Sequence, residues 1–463
     1  MGRAHARSRA GVNGVPGRSG LTRRLSRRDL VVYGLLFIGP LAPVGVYGVL
    51  DARTDGAVAL VYVVATVAMA FTAWSYAVMS RAVPHAGSVF AYASRGLGST
   101  AGFFAGWLAM LDYLLIPSVA YLFSGIALHA LVPAVPAWVF TVAAFTGTTL
   151  LNLAGVRVAA RAGFVVLVVE LVVLVLFLGA AGVVLATEGP SRPWLSPLLG
   201  VTAIDTSMIL GAVSVAVLSY LGFDAIASFA EESTGDAGSV GQAIALCLGV
   251  AGVAFVAQTW VAALLSSDAP AALLADPARQ GTAFYVIARA GIGGWMATVV
   301  AITKAVGPAF AAMTGQAAAA RLLFGMARDG RLPKALAGVD DTRGVPRAAL
   351  LTTAAATLAV SVWAARRSDG LSLLVSIVDV GALGAFVLLH ASVVGYFVVR
   401  RLGQARLAHV VVPVAGALVT GWVLIEASRV AQLVAGGWLV AGVVALAVSM
   451  RRAAAGADGV GDV

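Results

Sequence analysis

Residues 33–48 read Tyr33-Gly-Leu-Leu-Phe-Ile-Gly-Pro-Leu-Ala-Pro-Val-Gly-Val-Tyr-Gly48. The stretch is apolar enough to enter a bilayer, yet two prolines and three glycines crowd positions 39–48. Pro40 and Pro43 remove two backbone donors and clash with the carbonyls one turn earlier, so a regular helix must unwind there. Unwound backbone at membrane depth is tolerated only where it is buried in protein or lines a cavity. A packing kink would satisfy one proline. A cluster of this density points to a ligand site built on a broken helix.

A second break stands in Ser219-Tyr-Leu-Gly-Phe-Asp224, which runs on to Glu231-Glu232-Ser-Thr-Gly235. Gly222 alone is a weak signal. Its position gives it weight, because the first break opens the first five apolar spans and this one opens the next five. Spans one to five begin inside and six to ten begin outside. That is the pattern of an inverted-topology repeat, with substrate held where the two broken helices meet.

The composition agrees. Of 463 residues, 60% are hydrophobic and 11% charged, against about half and a quarter in soluble domains. Apolar runs of 18 or more residues recur, which predicts a polytopic helical membrane protein. We read twelve spans at about 30–50, 57–80, 99–128, 135–154, 160–186, 207–230, 242–265, 294–325, 347–365, 371–399, 409–428 and 432–450. A short helix is predicted over 281–290. The 53 glycines suit close helix packing in lipid, and Gly102-Phe-Phe-Ala-Gly106 is read as such a contact. Trp107, Trp138, Trp194 and Trp295 are read as interfacial anchors.

The organisation expected is a disordered basic tail over 1–28, a first repeat over 29–187, a second over 207–400, two added spans over 409–450 and a tail over 451–463. Net charge is +10, but its distribution argues for membrane lipid and against nucleic acid. Eight arginines and no acid lie in 1–28, beside the headgroups. With the N-terminus inside, 23 of the 31 Lys and Arg residues fall in inner segments and seven in outer ones. The bias predicts that both termini are cytoplasmic. The single Cys247 forms no internal disulfide. No phosphate-cradling loop, zinc pattern or nucleophile elbow appears, so neither an ATPase, a cofactor, a metal site nor an enzyme is expected.

Five ionisable residues lie at membrane depth: Asp112, Glu170, Asp224, Lys304 and Asp379. Each costs about 2.5–3.5 kcal/mol at a helix centre unless paired or hydrated, so each needs a reason. Glu170 sits among Val and Leu, where a carboxyl able to take a proton would serve as a proton carrier. The bland alternative is an ion pair with Lys304. Lys304 is too central to snorkel and calls for a carboxylate partner. Asp112 precedes Tyr113 in a segment that closes at Pro117. It would hold a substrate ammonium or neutralise Lys304. Asp224 would steady the broken helix or meet a cationic substrate. His390 is read as a helix–helix hydrogen bonder.

The residues reach a known family in Tyr33 to Gly48, Ala86-Gly-Ser-Val-Phe-Ala-Tyr92, Gly106-Trp-Leu-Ala-Met-Leu-Asp-Tyr113, residues 218–232 and Arg321-Leu-Leu-Phe-Gly-Met-Ala-Arg-Asp-Gly-Arg-Leu-Pro333. With these the chain resembles the amino acid–polyamine–organocation superfamily of permeases, in particular its amino acid permease and putrescine-importer-like branch. The resemblance implies an all-α, leucine-transporter-type fold: a 5+5 inverted repeat, broken helices one and six, and two extra helices. Relatives with a proton-coupled cycle carry a titratable lysine on span five; Glu170 falls near that place and departs from it. The reading is a secondary transporter of small amino compounds, most simply amino acids, driven by protons. Backbone donors around Val44, Gly45 and Val46, beside Pro43, would receive a substrate carboxylate. Carbonyls freed near Ser219 to Leu221, at the Gly222 break, would accept its ammonium; Tyr113 and Tyr220 would wall the site, Asp112 and Asp224 would border it, and Glu170 and Lys304 would couple protons. The alternatives are a putrescine or polyamine importer, an obligate exchanger and, from another class, a non-transporting receptor.

Overall fold

The computed structural model describes residues 24–458 apart from 85–87, 133, 203–204, 237, 341–343, 368–369 and 426–428. Most of the predicted basic tail, residues 459–463, part of the Ala86 motif and the side chain of Asp379 lie outside what is described. Among the described residues, twelve helical segments are long and apolar enough to cross a membrane. Helices suit this chain because every backbone donor finds its acceptor within the segment, where lipid offers none.

Span one is two helices, Arg27–Ile38 and Tyr47–Arg53, joined through a tight turn at Ala42–Gly45. Ser26 and Asp29 cap its start reciprocally, satisfying donors that the first turn leaves orphaned. Gly39 ends the first half at φ 75°, a conformation that glycine adopts without penalty. Pro43 enters the first turn of Ala42–Gly45, where its missing N–H is not needed.

Span six runs as a helix over Thr206–Leu218 and then as a tighter, three-residue-per-turn segment over Phe223–Glu232. The break between them turns at Gly222, φ 121°. A Cβ on Gly222 would also stand 2.8 Å from the ring of Phe37. Gly222 is therefore needed twice, for its dihedral and for the approach of the two broken spans.

The unbroken spans two to five are Val58–Ala82, Ser99–Leu131, Ala137–Ala154 and Val156–Thr187. Spans seven to nine are Ser239–Leu265, Gly294–Arg328 and Arg347–Ala365. Span ten is Gly370–Val394 with one wider turn over Gly395–Val399, and spans eleven and twelve are Ala408–Ile425 and Arg429–Asp458. Span twelve thus continues as helix into the stretch expected as a tail. The helix predicted over 281–290 is Ala283–Gly291.

Spans three and eight, of 33 and 35 residues, measure about 50 Å at roughly 1.5 Å per residue. They exceed a hydrocarbon core of about 30 Å and must tilt or project. They lie along each other, and Ser124 of span three donates to the Ala305 carbonyl of span eight. Pro117 does not close its helix: span three runs through it to Leu131. Room for the ring comes from Gly315, where a Cβ would stand 2.7 Å from Pro117 Cγ.

One tryptophan expectation is corrected. Trp107 is no interfacial anchor. It stacks on Trp438 at 4.7 Å, and each indole N–H donates to the other residue's carbonyl, at 2.7 and 2.6 Å. Trp138, Trp194 and Trp295 are exposed as anchors require. His390 is buried in span ten and hydrogen-bonds Ser75 at 2.9 Å and Thr72 at 3.3 Å in span two. Gly102 meets Ser94, while Gly106 meets Met326 and Phe90, all inside the bundle.

Candidate functional site

The two breaks meet at a cavity of about 100 Å³. Span one contributes Phe37, Ile38, Gly39, Ala42, Gly45 and Val46; span six contributes Leu218, Ser219 and Leu221. Span three lines it with Ile116, Val119, Ala120 and Phe123. Those four positions recur at the three- and four-residue steps of one helix face. Span eight adds Lys304, Gly307, Pro308 and Ala311 on a similar face, and span five adds Glu170. The walls are apolar apart from Ser219, one acid and one base. The volume suits a ligand of only a few heavy atoms, since a dry cavity of about 150 Å³ takes benzene.

Glu170 is 3% exposed, and Oε1 lies 2.0 Å from where a Cβ on Gly307 would stand. Glycine at 307 is what lets the carboxylate lie against span eight. Among the described residues no protein group hydrogen-bonds Glu170 Oε2. One turn earlier, Lys304 Nζ approaches the Leu41 carbonyl at 3.4 Å. That carbonyl belongs to the span-one break. Among the described residues Glu170 and Lys304 form no direct ion pair; they share the cavity instead. Pro308 lacks an N–H, so the carbonyl of Lys304 loses its usual helical partner on the cavity side.

The other expected site residues stand around this cavity rather than in it. Pro43 and Val44 are buried in the span-one turn behind Gly45. Tyr220 points toward span two, its hydroxyl 2.6 Å from Thr66 Oγ1. Ser219, which does line the cavity, has its Oγ 2.9 Å from the hydroxyl of Tyr62 in span two. Tyr113 donates to Asp224 Oδ2 at 2.8 Å, and the Gly222 N–H donates to Oδ1 at 3.2 Å. Asp224 therefore steadies the span-six break and ties it to span three. Asp112 is 1% exposed, one residue before Tyr113, and does not line the cavity. The expectation that Tyr113 and Tyr220 wall the site is replaced by Phe37, Ile116 and Phe123.

Each end of the bundle carries a buried ion pair that sequence reading missed. Toward the N-terminal end, Glu232 of span six accepts from Arg321 Nε and, at 3.1 Å, from Nη2. Arg321 also lies over the Phe229 ring at 4.3 Å. Beside it Arg328 binds Glu231 at 2.6 and 2.9 Å. The backbone N–H groups of Arg24 and Leu25 both donate to the Glu232 carbonyl at 2.9 Å. At the opposite end Arg192 grips Asp51 with two bonds of 2.7 and 2.9 Å and reaches Ser266 at 2.9 Å. Burial works against the Arg192 charge, yet its bonds to Asp51 and the Asp51 charge outweigh this and raise its pKa. The signal available in sequence was charge at span ends, Glu231-Glu232 against Arg321 and Arg328. Its pairing is set by the fold.

The amino acid permease family matches residues 30–450 of the chain. Over 443 residues the chain is 30% identical to the low-affinity putrescine importer of Escherichia coli (strain K12), covering 92% of this chain and 93% of that one. It is 26% identical to a branched-chain amino acid permease of Bacillus subtilis (strain 168), with 83% of both chains covered. A gamma-aminobutyric acid permease of Escherichia coli (strain K12) matches at 23% over 72% of this chain and 70% of its own. The matches are to transporters, and the aligned region takes in both breaks, the cavity and the ion pairs at either end. The chain is a multi-pass membrane protein of the amino acid permease family.

Proposed function

We propose that the protein is a proton-coupled secondary transporter of small zwitterionic amino acids in the cell membrane, with both termini cytoplasmic. One observation carries this reading: Glu170 and Lys304 face the same small apolar cavity, where both broken spans meet. A zwitterion brings one charge of each sign to a space holding one charge of each sign. Its carboxylate would lie toward the span-one turn at Gly45 and Val46. Its ammonium would lie toward the carbonyls near residues 219–221. In the proposed architecture, residues 29–187 and 207–400 form inverted repeats, and spans one and six move against the remaining scaffold.

The pair also suggests the coupling. With Glu170 ionised, Lys304 is balanced. Once Glu170 takes a proton, Lys304 is left with uncompensated charge in an apolar space, which is costly. A substrate carboxylate restores the balance. Proton and substrate then favour each other's binding, and linkage makes that preference mutual.

A putrescine importer is the second reading, favoured by the 30% identity to such a protein. A diamine would compete with Lys304, so its binding should expel a proton rather than take one up. Purified protein in proteoliposomes, offered amino acids and putrescine separately, separates the two. Substrate-dependent proton uptake with an amino acid is expected. Putrescine transport without amino acid transport would overturn the first reading.

A further inference from the structure

A second cavity, of about 620 Å³, opens between the start of span one and span five. Its walls include Arg24, Arg28 and Arg161, with Asp29 as the one acid among the described residues that line it, and Val32 and Phe164 as the apolar side. Asp29 is already engaged, accepting from Ser26 N and Oγ, both at 2.8 Å. Arg28 lies flat over the Phe164 ring, 4.6 Å from its centroid. Among the described residues neither Arg28 nor Arg161 has an acidic partner. Arg28 and Arg161 thus bring to the cavity two cationic groups that no acid among the described residues pairs with.

Its apolar side continues beyond the pocket. Phe164, Val165, Val168, Val169, Val172 and Val175 are all exposed on span five, Val165 at 62% and Val175 at 66%. The steps of three and four place them along one strip of the helix, facing lipid tails. Arginines at the head of an exposed apolar strip have the polarity of a phospholipid: phosphate at one end, acyl chain along the other.

We propose that this pocket binds the headgroup of an anionic phospholipid, with an acyl chain laid along the valine face of span five. The guanidiniums of Arg28 and Arg161 would take the phosphate through charge-assisted hydrogen bonds. The site joins two elements whose separation matters. Span one crosses span five closely at Gly163, where a Cβ would stand 2.4 Å from Leu36. The central cavity lies on one side of this crossing and the basic pocket on the other. A lipid bound here would bridge the first half of span one to span five.

The test uses the full chain purified in neutral detergent, titrated with phosphatidylglycerol, phosphatidylcholine and inorganic phosphate while thermal stability is read. Saturable stabilisation by phosphatidylglycerol alone is expected. Arg28→Gln combined with Arg161→Gln should weaken it on the order of tenfold or more, while Arg400→Gln with Arg401→Gln leaves it unchanged. Equal protection by phosphatidylcholine, or no loss in the first double variant, overturns the proposal. Equal protection by inorganic phosphate overturns the lipid and leaves a free-anion site. If the first double variant does not fold, phosphatidylglycerol with a photoreactive acyl chain decides the matter in the unaltered protein. Adducts within residues 164–175 support the site, and adducts elsewhere overturn it.

Discussion

The carboxylate of Glu170 lies against the backbone of Gly307, so close that a methyl group there would stand 2.0 Å from Oε1. An acid on span five is thus seated by the absence of a side chain on span eight. Gly307→Ala should push the carboxylate into the cavity or twist it away. We expect transport to fall by about tenfold to 100-fold, because misplacing a working group by about 1 Å can cost about 100-fold, with the protein still folded. Uptake and thermal unfolding measured on the same preparation check this. Unchanged uptake would show that the position of Glu170 is unimportant.

Glu170→Gln keeps size and hydrogen-bonding capacity while removing titration. It should abolish uphill uptake driven by a pH gradient and spare substrate exchange, which need not return an empty carrier. Counterflow and pH-jump uptake in the same proteoliposomes separate the two. Full concentrative uptake would remove Glu170 from the proton role.

Gly45 faces the cavity with Phe123 3.9 Å from a hypothetical Cβ, an ordinary contact distance. Gly45→Ala should therefore fold and bind with little change. Gly45→Leu should fill the cavity and abolish binding in a folded protein. Wild-type affinity in the leucine variant would locate the site elsewhere.

Glu232 and Arg321 are both buried. Removing one partner strands the other charge, typically at about 3–5 kcal/mol, whereas replacing both by apolar groups costs far less. Glu232→Leu and Arg321→Met should each lower the thermal midpoint strongly, and the double variant should recover much of the loss. An additive double variant would mean that the pair is not coupled.

The arginine bias places residue 338 inside and the connection around 281 outside. Single cysteines introduced at these positions, after replacing Cys247, should react with an impermeant reagent at 281 alone. Labelling of 338 from outside would invert the topology.

Much of the architecture was legible in the sequence because lipid enforces it. Apolar length gave the spans, and proline and glycine gave the two breaks, since each acts on its own few residues. Gly222 shows the limit: its helix-breaking character could be read, but not that it also makes room for Phe37. Asp112 and Asp224 looked alike as buried acids. Only the fold reveals that Asp224 is bound by Tyr113 and the Gly222 N–H, away from the cavity, while Glu170 lines it. Trp107 misled because nearness to a span end does not disclose a partner 331 residues along the chain. Pro117 misled because its cost is met by Gly315 on another helix. Local grammar is written in neighbouring residues; pairing between distant helices is not.

The ion pairs Asp51–Arg192 and Glu232–Arg321 have a consequence of their own. Both are formed in one and the same structure, at opposite ends of the bundle. In the alternating cycle proposed above, each opening would then break one buried pair rather than both. A pore open to both sides would require both pairs to break at once, and a proton-driven carrier of the kind proposed would lose its gradient through such a pore.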